Sequence, residues 1–255
     1  MSGFQTWVWK ELLEISRTWR RFVLPLLLLI MAVLSPVLAR ITPDLLRSLS
    51  SSDPGVIIQI PEPTARDALR QWGQSLGQIV LFGVIVIGGG LVSGDLASGA
   101  GQLALVKPLS RRDYILAKVT VLAGYLLVLT VIAAIVCGAL TRLIFETVRV
   151  RDLAELTVVW LVLALAFIGI MTLLSTALRS QTAAAGAGIA IYFLASIVAL
   201  WQPAKDYSPV GLMTAYDAIA SGHTPPLLVP IVTSLIVATI ALVVAIQIFQ
   251  RQTIR

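Results

Sequence analysis

Long apolar runs separated by short polar interruptions organise this chain, and their lengths set the first constraint. Six runs approach or exceed the ~20 mostly apolar residues that a helix needs to cross a hydrocarbon layer. They cover about residues 22–41, 73–93, 114–139, 155–177, 184–201 and 227–249, the fifth being the shortest. A different pattern precedes them. In "GFQTWVWKELLEISRTWRRF", Phe4, Val8, Leu12, Ile15, Trp19 and Phe22 recur at spacings of four and three, with Lys10, Glu14, Arg17 and Arg21 on the opposite arc. That predicts an amphipathic helix over residues 1–21 lying in a membrane interface. The expected fold class is an all-α membrane protein, with six transmembrane helices over residues 22–255.

Composition agrees with lipid as the main solvent. The chain is 58% hydrophobic and 13% charged, against roughly 45–50% and about 25% for soluble domains. The first apolar run is followed by no small-residue cleavage site, so it is expected to stay as an anchor. The single cysteine, Cys137, excludes an internal disulfide and reads as a small packing residue.

The net charge of +6 gains meaning from its distribution. With six spans both termini share a side. If that side is the cytoplasm, 11 of the 19 Lys and Arg residues lie inside and 8 outside, and the inner ones crowd into shorter segments. The positive-inside rule then favours cytoplasmic termini. No continuous basic face suits a nucleic acid, and anionic lipid headgroups account for the positive charge.

Two outer loops are expected, over residues 42–72 and 202–226. In the first, "GVIIQI" reads either as a short strand or as a segment on the headgroups, and "TARDALRQW" as a helical turn entering the second span. In the second, Ser208, Pro209 and Gly222 predict one helix with Leu212, Tyr216 and Ile219 on a shared face. His223, the only histidine, has no second ligand-type residue beside it, so no metal site is expected. Gly73 with Gly77, Gly90 with Gly94, and "AAAGAGIA" in the fifth span suggest close helix packing and room for a self-associating face.

Phosphate-cradling, nucleophile-elbow and zinc-protease motifs are all missing. The spans hold almost no ionisable residues. Lys118, about one turn inside the third, is expected to snorkel back to the interface. Ion-coupled transporters keep buried carboxylates in spite of a cost of ~2.5–3.5 kcal/mol or more per charge. Transport by this chain would therefore draw its energy from a partner.

The segment from 94 to 112 differs from everything around it. "LASGAGQLALVK" can form a short helix that Pro108 stops, and Ser110 stands three residues before Asp113 in a capping-box-like restart. It reads as a basic elbow held parallel to the membrane, or as a plain basic loop that holds topology. An acid, Ser-Gly-small, a few apolar residues, then Pro-x-Ser-Arg and a nearby Lys resemble the cytoplasmic loop of ABC-2 type transporter permeases. These are the membrane subunits of bacterial ATP-driven exporters. The matching positions are Asp95, Ser98, Gly99, Ala100, Leu103, Leu105, Pro108, Ser110, Arg111 and Lys118. The likeness extends to the N-terminal helix, the six spans, the long first outer loop, "LLSTALRS" closing the fourth span and the helical last loop. Asp95 and Ala100 stand where the family commonly has Glu and Thr.

The resemblance implies a type V exporter-like transmembrane domain in the bacterial inner membrane. It also implies a second permease copy, with the first and fifth spans as the contact region, and a separate cytoplasmic ATPase that carries ATP and Mg. Leu103, Leu105 and Val106 would enter a groove of that ATPase, while Asp95, Lys107, Arg111 and Arg112 make polar contacts around it. The uncharged spans favour a hydrophobic or amphipathic cargo over a small ion. A non-transporting membrane scaffold and an intramembrane enzyme are the rival classes. A cysteine introduced at Ser2 should be shielded from a membrane-impermeant thiol reagent in intact cells, and labelling from outside would overturn the orientation.

Overall fold

A computed structural model describes residues 3–18, 20–50, 62–97, 110–178, 180–223 and 225–251. The described residues are helical with no strands, and six helices are long and apolar enough to cross a membrane. Helix α1 spans Gly3–Arg17 and α2 spans Arg20–Ser50. The further spans are α3 (Ala65–Ala97), α4 (Arg111–Phe145), α5 (Val150–Ala177) and α6 (Gln181–Val198). Two short helices follow, α7 (Gln202–Tyr207) and α8 (Ala215–Ala220), with a 3-10 turn (Pro209–Met213) between them, and then α9 (Leu228–Arg251).

Helix boundaries follow local chemistry. The backbone N–H and hydroxyl of Thr64 both donate to the Asp67 carboxylate, at 2.9 and 2.7 Å, at the head of α3. Ser110 accepts from the backbone N–H of Asp113 at 3.0 Å and starts α4, as the spacing suggests. Ser180 does the same for α6 through Ala183. "TARDALRQW" thus leads into the second span as expected, as the first turns of α3 behind the Thr64 cap. "GVIIQI" lies outside the described residues.

Helices α3 and α5 form the centre. Within their most apolar windows 72% and 67% of residues are buried, against 17–33% in the other four spans. Helix α5 packs on α3, α4, α6, α9 and the 3-10 turn, while α2 covers α3 and α4. Cys137 is buried in this core. Hydroxyls inside the bundle are satisfied locally: Thr130, Thr141, Thr157, Thr172, Thr176 and Ser234 each donate to the carbonyl four residues back.

Helix α3 is irregular in two places, and in each a side chain from α5 hydrogen-bonds its backbone. At a π turn (Leu76–Val80) the Leu76 carbonyl accepts from the Leu81 N–H five residues on, and the Trp160 indole N–H adds a second bond to it at 2.8 Å. The helix breaks again at residues 90–92. There the Ser175 hydroxyl accepts from the N–H groups of Val92 and Ser93 and donates to the Gly89 carbonyl. In lipid no water could take these roles.

Several expectations change. The last outer loop contains two helical pieces, not one helix. The Ser208 hydroxyl donates back to Ala204 instead of capping, and Gly211 packs against the Lys205 carbonyl too closely for any side chain. Leu212 and Ile219 are buried and Tyr216 is half-buried. Gly73 and Gly90 do sit at close contacts, against Tyr216 and Gln181, but Gly77 faces open space. In α6, Gly188 packs on Met171 and Ile85, while Gly186 has nothing near it.

Among the described residues, the tightest backbone approach between two spans joins α5 to α9. A Cβ on Gly169 would lie 2.8 Å from the Ala238 carbonyl oxygen and 3.0 Å from its Cα, and backbone cannot swing aside. Gly169→Ala should destabilise the bundle by about 1–3 kcal/mol, the usual cost of overpacking. Gly124→Ala, in open space, should be neutral or stabilise by up to about 1 kcal/mol. Thermal unfolding midpoints in detergent check the contrast.

Candidate functional site

The longest stretch of sequence between spans on the termini's side joins α3 to α4, so the residues at its two ends are the natural place to look. Asp95 lies near the end of α3, and Tyr114 and Lys118 occupy the first two turns of α4. Helix α1 lies across them, packed on α4. It presents Trp7 and Glu11, four residues apart and therefore on one face, and both are buried.

These side chains form one ion cluster. The Lys118 ammonium is fully buried and lies 3.0 Å from the Glu11 carboxylate and 2.8 Å from that of Asp95. The Tyr114 hydroxyl donates to the same Asp95 oxygen at 2.7 Å. Lys10 approaches from the rim, 3.0 Å from Glu11, 2.5 Å from Glu14 and 3.6 Å from Asp95. Burial works against the charge on Lys10. The hydrogen bond to Glu14 and the fields of Glu11 and Asp95 outweigh it and hold the ammonium above the ordinary lysine range.

An aromatic frame encloses the ions. Trp7 meets Tyr114 edge-on with centroids 5.0 Å apart, and Phe249 of α9 stacks on the other face at 5.4 Å. The frame excludes water, which strengthens each ion pair and raises the cost of leaving any member unpaired. Carboxylate oxygens of Glu11, Glu14 and Asp95 lie within 4.8 Å of one another, a spacing open to a metal ion. Here the ammonium groups of Lys10 and Lys118 supply the positive charge. His223 is not part of any metal-type group among the described residues.

A second tie closes the other flank. Arg111 donates to the carbonyls of Phe249 and Gln250, both at 3.2 Å, at the C-terminal end of α9. That end carries unpaired carbonyls and partial negative charge, which an arginine satisfies. The segment leaving Ala97 and returning at Ser110 thus starts and finishes at two anchored points.

The residues singled out by sequence divide accordingly. Asp95 is turned inward, 9% exposed at its side chain, and is held by Lys118 and Tyr114. Ser110 is the α4 cap and Arg111 clamps α9, while Arg112 is exposed. Ser98, Gly99, Ala100, Leu103, Leu105, Val106, Lys107 and Pro108 lie outside the described residues.

Lys118 does not snorkel: its ammonium is anchored by two acids. Trp7 and Glu11 were not anticipated. The buried side of α1 centres on them, and Leu12, placed on the apolar arc by spacing, is exposed with Trp9 and Leu13. A carboxylate one step off an apolar arc, and a lone lysine inside a span, were the available signals.

With this geometry in place, comparison with known families adds one finding. A family model described as protein of unknown function (DUF2705) matches residues 56–254. The chain belongs to the DUF2705 family. The match takes in Asp95, Tyr114 and Lys118 of the cluster and begins after Glu11. No curated protein matches this DUF2705 chain.

Lys118→Met would leave Glu11 and Asp95 charged and buried, at a cost of about 3–5 kcal/mol. Adding Glu11→Gln should recover part of the loss, because one stranded charge is removed. A double-mutant cycle on thermal stability in detergent measures this. Simple additivity of the two losses would refute the coupling.

Proposed function

We propose that this DUF2705 chain is the transmembrane permease subunit of an ATP-driven exporter of the ABC-2 kind, working with a separate cytoplasmic ATPase. The observation that carries the reading is the anchored base of the segment between α3 and α4. A partner that pushed on residues 98–109 would act on a base tied by Asp95, Lys118 and Glu11 to three helices at once. The force would reach α3, α4 and α1 together and would not be lost in a slack loop. The resemblance of this same segment to the ABC-2 coupling loop supports the reading from the sequence side.

On this proposal the protein sits in a bacterial inner membrane with both termini in the cytoplasm, α1 lies in the inner interface, and two copies form the working unit. The exposed residues Trp9, Leu12 and Leu13 give α1 an apolar strip for the lipid. Helices α2 and α6 leave much apolar surface open, including Leu26, Ile30, Val33, Phe193, Leu194 and Ile197, which suits a second copy as well as lipid. The cargo is hydrophobic or amphipathic, since most charges found among the described helices are committed to ion pairs or lie near helix ends, Arg40 of α2 being exposed. Neither ATP nor Mg would bind this subunit.

Co-purification tests the proposal. The tagged chain should retain an ATP-hydrolysing protein from its native membrane. Replacing Leu103 and Leu105 with Asp should release that ATPase while membrane insertion and the ion cluster stay intact. Arg112→Ala should change retention little, because rim charges contribute less than buried anchors. A partner ATPase that ignores the double Asp variant would overturn the coupling role, and a chain that never holds an ATPase would favour the scaffold.

A further inference from the structure

The end of the bundle opposite the ion cluster carries a second polar group, in which Arg66, Arg149 and Asp152 make no ion pair among the described residues. The head of α3, the link between α4 and α5, the first turn of α5 and the end of α8 meet around two adjoining cavities of about 360 and 290 Å³. Both fall near or within the usual range for small-molecule sites, about 300–1,000 Å³. Thr64, Arg66, Leu69 and Val148 line the first, and Glu155, Ile219 and His223 the second. Arg149 and Asp152 belong to both.

Asp152 is 9% exposed, and its Oδ2 is buried with no hydrogen-bond partner among the described residues. A buried carboxylate oxygen left unpaired is costly, and the cost falls when a donor arrives. The two arginines that line the first cavity with it form no ion pair with it. Arg66 and Arg149 make no ion pair with any described residue, and both reach toward Gly222. A Cβ at Gly222 would lie 3.2 Å from Nη1 of Arg149 and 3.7 Å from Nη2 of Arg66. The two guanidinium groups are therefore no further apart than the sum of those distances. Gly222 has φ +80°, a backbone state that favours glycine, and the missing side chain leaves them room.

The neighbouring acid on α8 is already used, since Asp217 pairs with Arg70 at 3.1 Å. Helix α5 starts here without a side-chain cap, which adds partial positive charge beside the arginines. Two convergent guanidiniums call for an anion with several oxygens, and the buried carboxylate beside them calls for a hydrogen-bonding cation. A single molecule with both groups a few bonds apart satisfies all three side chains.

We propose that this end of the bundle is a binding site for the phosphoethanolamine group, with phosphate on Arg66 and Arg149 and the primary ammonium on Asp152. The cavities have apolar walls, Leu69, Val148 and Ile219, and open at the ends of spans where Leu143 and Val150 stand exposed. That setting offers a route for acyl chains as well as for a free headgroup. The site does not depend on the permease reading, and its test uses no ATPase.

Purified full-length protein in detergent would be titrated with dihexanoyl phosphatidylethanolamine and dihexanoyl phosphatidylcholine, with retention read by native mass spectrometry. The ethanolamine lipid should bind at least about tenfold more tightly, the value of one hydrogen bond to a charged group. The trimethylammonium of choline has no N–H to give Asp152. Asp152→Asn should remove that preference, while Arg66→Gln and Arg149→Gln should weaken both lipids. Arg40→Gln, an exposed arginine of α2, should change neither. Gel filtration and circular dichroism confirm that each variant is folded.

Free phosphoethanolamine identifies the source. Competition with the short-chain lipid supports a headgroup site open to the soluble molecule, and failure to compete alongside a retained ethanolamine preference supports a lipid site. Equal binding of both lipids by the native protein, or an unchanged preference in Asp152→Asn, would overturn the proposal.

Discussion

A lysine shut away from water between two acids ties the termini's end of this protein together. Lys118 sits on α4, Asp95 on α3 and Glu11 on α1, so the buried ammonium of one helix is neutralised by acids from two others, with Lys10 of α1 adding positive charge at the rim. Moving α1 off the bundle would strand an ammonium, and moving α3 would strand it differently. The aromatic frame of Trp7, Tyr114 and Phe249 makes the dependence stricter by keeping water out. Buried ion pairs of this kind contribute little net stability compared with apolar packing, but they penalise every arrangement except one. Their effect here is to hold helix positions relative to one another.

The same economy governs the breaks in α3. A spanning helix is under pressure to keep its own hydrogen bonds, because lipid offers none. Helix α3 gives up some at residues 90–92, where Ser175 of α5 returns them, and at the π turn Trp160 of α5 adds a bond to a carbonyl that already has one. The central pair is joined by hydrogen bonds as well as by packing, and α3 becomes three short rods instead of one long one. Bends at those two places can be accommodated without exposing backbone to hydrocarbon.

The number and order of the spans were legible in the sequence because length and apolarity alone decide them. The Ser110 cap was legible for a similar reason: its partner is three residues away, and local geometry does the rest. What distance along the chain cannot reveal is which side of a helix meets which neighbour. Lys118 looked able to reach water because its depth could be counted, whereas the acids that hold it are 107 and 23 positions away. The buried face of α1 was misplaced by about one residue, since Trp7 and Glu11 adjoin the arc that spacing picked out. In the last loop Gly211 passes against the Lys205 carbonyl six positions earlier, a close approach that helical spacing does not announce. The far cavities were invisible for the same reason, with Arg66, Asp152 and Gly222 drawn from three distant stretches.

Chain order gives the ion cluster a consequence during biosynthesis. Ribosomes deliver Glu11 first, then Asp95, and Lys118 last. A lone lysine entering the bilayer within a helix meets a barrier of about 2.5–3.5 kcal/mol on insertion scales. By the time α4 emerges, both acids that will neutralise its lysine have already been made. The charge that is hardest to place arrives last, with its counter-ions waiting for it.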